Sequence, residues 1–292
     1  MPDTPYKQLE SMIRSRQNDM YKEINKEYRE SIKAIDKEIE AIIDEAEYDK
    51  DGNLKNERKL SKKIAMLTPI IAMLWNKNRS MIEQSSSTIM RETTLFYEFL
   101  SVTQLGNTRV IQSPAEINRM VSSILKERSN IIKWDQVIKG NARVLDKRLQ
   151  KLVKNEIAKG KTKFQIERKI QKTMRLNSGK ARTIARTESN YYYSRSKYIT
   201  GKMHEEEGNT IIKQWEYTFL SREPRDEHQV AHGQTVVGID TRFIVGGRET
   251  LSPQQFGIAE EDINCNCTYI MRYLADTVRI NYGKYAEYKD NK

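Results

Sequence analysis

The hydrophobic pattern of this 292-residue chain changes once, close to Gly208. Upstream of that glycine, apolar residues recur at three- and four-residue steps, which predicts long amphipathic α-helices. Downstream, short runs of β-branched and aromatic residues are separated by glycines, a pattern typical of short strands joined by irregular loops. The sequence therefore predicts an α+β protein. A long, mostly helical N-terminal part is followed by a small mixed domain with a short β-sheet.

The helical part contains an apolar stripe at residues 24–46 with nearly heptad spacing, and Glu and Lys fill most other positions. A turn at residues 49–53 and a second helix from about Glu57, kinked at Pro69, predict a helical hairpin whose surface is a candidate for self-association. Further helices are expected at 114–128, 132–158, 163–175 and 179–207. The predicted regions are a hairpin or coiled-coil-like region at 1–110, a basic helical region at 111–208, a small α+β domain at 209–275 and a tail at 276–292.

The net charge of +11 is concentrated in the middle of the chain. Residues 61–200 hold 28 basic and 10 acidic side chains, a net charge of +18. Such an excess attracts polyanions and favours contact with DNA phosphates, although charge runs are also common on the solvated faces of helices. The predicted DNA-binding residues are Lys147, Arg148, Lys151, Lys154, Lys159, Lys161, Lys163, Lys169, Lys172 and Arg175.

Two histidines and two cysteines in the small domain have spacings that suit metal binding. His228 and His232 are four residues apart, so one helical turn directs both imidazoles the same way. Cys265 and Cys267 are two apart, so a strand directs both sulfurs to one face. The four donors would complete a tetrahedral Zn²⁺ shell. Two other interpretations stay open: a strained disulfide, or buried cysteines beside a hydrogen-bonded core network that pairs His228 with Arg225.

The known catalytic motifs are incomplete or missing in this sequence. The segment His228-Gln229-Val230-Ala231-His232 differs from the H-E-x-x-H of zinc proteases at the glutamate that serves as general base. Neither a phosphate-binding G-x-x-x-x-G-K-[ST] loop nor a G-x-S-x-G elbow occurs. The glutamate run at 205–207 suits a helix end better than a transferase site. We therefore predict a protein without enzymatic activity; the alternatives are a metal-dependent nuclease or other zinc-dependent enzyme, and a helical assembly adaptor with no nucleic-acid role.

Several motifs occur together in an order that is specific for one family. A strand carries Trp215, an Arg225-x-x-His228 segment follows, and Asn264-Cys265-x-Cys267 closes the domain. An Ala-x-x-Ile-Ala-Arg-Thr-Glu helix precedes them at residues 181–188. In this combination, residues 110–275 resemble the C-terminal domain of the Mu F-like phage head morphogenesis proteins, also called minor capsid proteins. The resemblance marks Trp215, Arg225 and Asn264 as structural motif residues.

The resemblance implies a minor head protein of the virion, located inside the capsid near the portal and made in the host cytoplasm. Its implied partners are the portal protein, capsid or scaffold proteins and double-stranded DNA, and its implied roles are head morphogenesis and DNA delivery. No apolar run approaches the length that spans a bilayer, so no membrane partner is expected. The N-terminus lacks the pattern of a secretory signal, and two cysteines one residue apart are not a disulfide framework.

Overall fold

The structure, a computed structural model, describes residues 5–51, 53–105, 113–132, 134–218 and 225–274. Six helices precede a mixed region, which confirms the predicted α+β class. The helices are α1 (Pro5–Asp44), α2 (Glu57–Ile64), α3 (Leu67–Leu105), α4 (Pro114–Ile132), α5 (Trp134–Ala158) and α6 (Lys163–Glu206). The mixed region comprises β1 (Ile211–Glu216), α7 (Asp226–Val230), β2 (Thr235–Val237), β3 (Phe243–Val245), β4 (Arg248–Thr250), α8 (Ala259–Asp262) and β5 (Thr268–Tyr273). The predicted tail at 276–292 lies outside the described residues.

The helix starts follow local sequence signals. At α4, the Ser113 backbone N–H donates to Glu116 Oε2 (2.9 Å) and the Glu116 N–H donates to Ser113 Oγ (3.3 Å), a reciprocal cap. The sequence predicted that Pro69 kinks a continuous helix. Instead, Pro69 lies in the first turn of α3. A missing N–H is harmless there, because the first turn has no carbonyl to bond. The helices expected at 163–175 and 179–207 form one helix, since a single glycine costs only about 1 kcal/mol.

The described chain forms two compact units that alternate along the sequence. Of the described residues, those within 1–18, 83–128 and 183–274 form unit 1, and those within 19–82 and 129–182 form unit 2. The four boundaries fall inside α1, α3, α4 and α6, which are 40, 39, 19 and 44 residues long. The regions expected from sequence at 1–110 and 111–208 are thus each divided between the two units, because single long helices contribute to both.

Unit 2 is built from helices whose apolar stripes are buried. Ile24, Ile35 and Ile39 on α1 are fully buried, as the near-heptad spacing indicated. On α5 and α6, Leu145, Leu149, Ile166 and Ile170 are buried, whereas Phe164 is 66% exposed. Self-association through the N-terminal helices stays a prediction.

Unit 1 contains a three-stranded antiparallel sheet in the order β2-β1-β5 and a separate β3-β4 hairpin. Trp215 on β1 is opposite Tyr269 on β5 and is fully buried, with its ring edge-to-face against Phe243 at 5.3 Å. Helix α6 approaches this core closely at Gly201. A Cβ at that position would lie 2.7 Å from Ile239 Cδ1 and from Met271 Sδ, so only glycine fits without displacement of core side chains. None of the described helices is both long and apolar enough to cross a lipid bilayer.

Candidate metal centre and basic groove

Three of the four predicted metal ligands come together in unit 1. His228 lies on the short helix α7, and Cys265 and Cys267 lie in the segment that leads into β5. His228 Nδ1 is 3.5 Å from Cys265 Sγ and 3.5 Å from Cys267 Sγ. All three side chains are buried, their ligand atoms lie within 4.8 Å of one another, and both thiols are free. The geometry therefore presents one nitrogen and two sulfur donors to a common point.

The second ring nitrogen of His228 points away from the sulfurs. His228 Nε2 lies 2.9 Å from Glu261 Oε2 on α8, and the other carboxylate oxygen pairs with Arg248. Because a carboxylate only accepts hydrogen bonds, the Nε2 atom carries a proton and donates to Glu261, while Nδ1 faces the cysteines. The ring stacks on Phe256 at 5.4 Å and meets the edge of Trp215 at 5.7 Å. Glu261, Phe256 and Trp215 together fix the orientation of the imidazole.

The turn that carries the cysteines is held by the motif helix. Asn264 has a φ of 61°, a left-handed conformation that asparagine tolerates better than most residues. Its backbone N–H donates to Thr187 Oγ1 (3.0 Å), and its Oδ1 accepts from Arg186 Nη1 (2.8 Å). Arg186 and Thr187 belong to the Ala-x-x-Ile-Ala-Arg-Thr-Glu segment of α6. This segment therefore fixes the backbone immediately before Cys265.

Side-chain amides fix the backbone of the cysteines themselves. Asn190 Nδ2 donates to the Cys265 carbonyl at 2.8 Å. Gln254 Nε2 donates to the carbonyls of Cys265 and Cys267, at 3.2 and 2.8 Å. Sequence reasoning did not assign Asn190 or Gln254 to the site. Asn190 is 75 residues from Cys265, and Gln254 contacts the cysteines across 11 and 13 residues of irregular chain, so both contacts form only in the folded protein.

The electrostatics of the cluster favour one thiolate. The hydrogen bond from Cys267 and the nearby His228 hold the pKa of Cys265 well below its ordinary value, although burial opposes this. The same hydrogen bond and burial raise the pKa of Cys267, against a smaller effect of the Trp215 indole. Burial disfavours the charged His228 ring, yet Cys265 and Glu261 raise its pKa above the ordinary value. The negative charge of the cluster therefore resides first on Cys265.

The fourth predicted ligand, His232, lies outside the cluster, so the four-residue set expected from sequence is wrong. Helix α7 ends at Val230, and His232 is in the turn that follows, where the four-residue spacing no longer aligns the two rings. His232 Nδ1 instead accepts from the Tyr217 N–H at 3.2 Å and lies 3.7 Å from Glu216, with its side chain 40% exposed. A small cavity of about 10 Å³ adjoins the remaining three ligands.

Arg225 bonds to the backbone and does not form the pair with His228 that one of the open interpretations suggested. It precedes α7, and its Nη2 atom donates to the Ile263 carbonyl at 2.8 Å. This bond joins the start of α7 to the segment just before Asn264. The motif residue thus helps to position the cysteine turn, together with Arg186 and Thr187 of α6.

Unit 2 contains a basic groove of about 780 Å³ along α6 and the end of α5. Among the predicted DNA-binding residues, Lys161, Lys169, Lys172 and Arg175 line it, and Arg168, which was not in the predicted set, joins them. The remaining lining residues are Glu156, Gln165, Gln171 and Leu176. The groove thus has five basic side chains and one acidic side chain. Lys147, Arg148 and Lys151 are exposed on α5 but do not line it.

Several of the predicted DNA-binding lysines have carboxylate partners. Lys154 pairs with Glu57 at 2.6 Å and Lys163 pairs with Glu40 at 2.6 Å. Glu156 pairs with Lys169 at 2.5 Å and, more loosely, with Lys159 at 4.0 Å. The basic block was expected to lack acidic partners, and this expectation is wrong for these four lysines. Two of their carboxylate partners, Glu57 and Glu40, are distant in sequence. Within the described part of the chain, no such ion pair forms at Lys161, Arg168, Lys172 or Arg175.

Residues 147–270 match the family model described as Phage Mu protein F like protein. The match confirms the resemblance read from the motifs and supports a phage head protein, a class whose members are virion components. Among curated proteins, the NAD(+)--arginine ADP-ribosyltransferase EFV of Enterococcus faecalis (strain ATCC 700802 / V583) is 34% identical over 115 residues. That alignment covers 38% of this chain and 22% of the relative. No solved structure matches.

The relative's transferase activity does not carry over from so short an overlap, because this chain spans only about a fifth of the relative's length. The glutamate run at 205–207 lies at the C-terminal end of α6. Glu205 Oε1 accepts from the Ile239 N–H at 2.7 Å, which is a structural contact, and the next two glutamates are exposed. These contacts are those of a helix end, as the sequence suggested.

Proposed function

We propose that this chain is a phage minor head protein that associates with the portal vertex and lies against packaged DNA. In this proposal it takes part in head morphogenesis and DNA delivery, without enzymatic activity, inside the capsid near the portal. Its partners are the portal protein, capsid or scaffold proteins and double-stranded DNA. The family match of residues 147–270 supports the head-protein part of the proposal. The contact with DNA is supported by the basic groove.

The groove is the observation that carries DNA binding. Arg168, Lys172 and Arg175 follow one another at steps of four and three residues, so they project from one face of α6. Exposed guanidinium and ammonium groups in such a row suit the regularly spaced phosphates of a DNA backbone. Contacts of this kind fix position but carry no base information. We therefore expect binding without sequence preference.

Neutralisation of the groove is expected to weaken DNA binding and its dependence on salt. Each phosphate contact contributes about −0.9 to the slope of log K against log salt concentration. A variant with four groove substitutions should therefore lose at least about tenfold in affinity at low salt, and its slope should become shallower by about 2 to 4. The substitutions are Lys161→Gln, Arg168→Gln, Lys172→Gln and Arg175→Gln. Fluorescence anisotropy with two unrelated duplexes over a salt series measures both quantities.

A matched control removes the same charge from lysines of unit 2 that do not line the groove. Lys22, Lys26, Lys33 and Lys37 are exposed on α1, and their change to glutamine alters net charge by the same amount. The control should bind both duplexes with nearly the wild-type slope. Equal loss in the two variants would show a general charge effect rather than a groove, and wild-type protein that fails to bind at low salt would refute DNA contact.

A further inference from the structure

We propose that His228 Nδ1 and the thiolates of Cys265 and Cys267 bind one Zn²⁺, with Glu261 orienting the imidazole and the fourth coordination position open to a water molecule. This site does not depend on the proposed role in the phage head. It also differs from the four-ligand set that the sequence suggested, because His232 takes no part.

The distances within the cluster match a zinc coordination shell. Zinc bonds of about 2.3 Å to sulfur and about 2.1 Å to nitrogen, at a tetrahedral angle, place sulfur and nitrogen about 3.6 Å apart. The structure has 3.5 Å from His228 Nδ1 to each of the two sulfurs. Both donor pairs therefore already lie at the length of a tetrahedron edge. Nitrogen and thiolate sulfur are also the donor types that Zn²⁺ prefers.

The surroundings of the ligands also suit a metal. Histidine ligands commonly donate their second N–H to a carboxylate, which fixes the tautomer and the ring orientation. Glu261 Oε2 occupies that position, 2.9 Å from His228 Nε2. The indole Nε1 of Trp215 is buried and already neighbours Cys267, where it opposes the rise in the pKa of that thiol. A metal-bound thiolate at the neighbouring Cys267 gives this N–H a sulfur acceptor with full negative charge.

Two metal-free interpretations explain less of the geometry. Without a metal, either the Nδ1 lone pair accepts from one thiol or a charged ring donates from Nδ1 to one thiolate, yet both sulfurs approach Nδ1 at the same distance. A disulfide would bring the sulfurs to about 2.05 Å and would remove both as ligands. The two cysteines are free thiols in the structure. A shared cation accounts for the convergence of all three donors.

The small cavity supplies the fourth position. It measures about 10 Å³, close to the volume that admits one water molecule, and His228, Cys265 and Cys267 contribute to its lining together with Tyr217 and Arg225. Three protein ligands and one solvent ligand is the composition of open zinc sites. The metal would join α7 to a segment 37 to 39 residues further along the chain. It would therefore hold the small mixed region closed.

Metal content tests the site in the full-length chain purified without chelator. We expect about one equivalent of zinc in the wild-type protein, less than about a tenth of an equivalent in the Cys265→Ser and His228→Gln variants, and one equivalent in the His232→Gln control. Glu261→Gln should retain the three ligands but bind zinc about 10- to 100-fold more weakly in competition with a chromophoric chelator. Loss of zinc in the His232→Gln control would overturn the three-ligand assignment.

A measurement on the wild-type protein keeps the test decisive if a ligand variant fails to fold. Exchange of zinc for Co²⁺ should produce thiolate-to-cobalt absorption, and both thiols should react with a thiol reagent only after the metal is removed. Wild-type protein that contains no zinc, takes up no Co²⁺ and has two thiols whose reactivity a chelator does not change would overturn the proposal in favour of a buried core. The absence of titratable thiols in denatured protein would overturn it in favour of a disulfide.

Discussion

Replacement of Arg128 with methionine is expected to lower the free energy of unfolding by about 3–5 kcal/mol. Arg128 on α4 makes two hydrogen bonds to Glu188 on α6, Nε to Oε2 at 3.0 Å and Nη2 to Oε1 at 2.8 Å. Its guanidinium also lies over the Tyr191 ring at 3.9 Å. Glu188 is 4% exposed, so methionine would leave a buried carboxylate without its cation. Denaturant unfolding at pH 7 measures the loss.

Two controls separate the effect of the unpaired Glu188 carboxylate from the effect of the lost Arg128 packing. Addition of Glu188→Gln to the Arg128→Met variant removes the buried charge and should restore a large part of the stability. Glu127→Gln breaks the pair with Arg195 that also joins α4 to α6, but the Glu127 side chain is 41% exposed. That change should cost less than about 1 kcal/mol. A loss below about 1 kcal/mol in Arg128→Met would show that the buried pair is not needed.

The difference in the free energy of unfolding between Lys197→Met and the wild type is expected to depend steeply on pH. Lys197 is 1% exposed, and its Nζ atom donates to Thr268 Oγ1 at 2.8 Å and to the Tyr269 carbonyl. The ammonium group also lies over the Tyr193 ring at 3.7 Å. Burial lowers the pKa of Lys197 to about 7, despite smaller opposing effects of the Glu10 and Glu216 carboxylates.

The direction of this pH dependence follows from the number of protons bound by the folded and unfolded chains. The unfolded chain keeps the Lys197 proton up to about pH 10, whereas the folded chain releases it near pH 7, so wild-type stability rises with pH between these values. Lys197→Met removes this dependence. The variant should be most favoured relative to wild type at pH 7, and the difference should shrink by about 1.4 kcal/mol per pH unit, on the order of 4 kcal/mol over the whole range. Unfolding curves at pH 7, 8 and 9 measure it.

Lys202 on the same helix provides the matched control. It forms an exposed ion pair with Asp240, and the hydrogen bond to that carboxylate raises the pKa of Lys202 above its ordinary value. Lys202→Met should therefore change stability by the same small amount at pH 7 and pH 9. A pH-independent difference between wild type and Lys197→Met would show that Lys197 keeps its charge in the folded protein.

The helical architecture was predictable because its signals are local. The stripe at residues 24–46 and the cap at Ser113 depend on neighbours within a few positions, and the structure contains both. The end of α7 at Val230 was not predictable, since a five-residue helix leaves no periodicity to read. His232 was consequently assigned to the metal cluster. Cys265 and Cys267 were expected on a strand but lie in the irregular segment before β5, and the turn at Asn264 brings both sulfurs to His228.

Charges were the least predictable part of the chain. Lysine is normally exposed, so nothing in the sequence marked Lys197 and Lys213 as core residues. The partners of Lys154 and Lys163 lie about 100 or more residues away, on Glu57 and Glu40. Such pairs form only once the helices pack, and a count of local charges therefore overestimated the basic surface. The basic groove contains fewer of the basic residues than the predicted block, and it includes Arg168.

The protein composition of purified phage particles tests the central claim most directly. A host that carries this reading frame would be induced, and DNA-filled particles would be separated on a density gradient after nuclease treatment. As a phage head protein, the chain should be detected by mass spectrometry in the particles, at fewer copies than the major capsid subunit. Its presence in the lysate together with its absence from DNA-filled particles would contradict a role in the phage head.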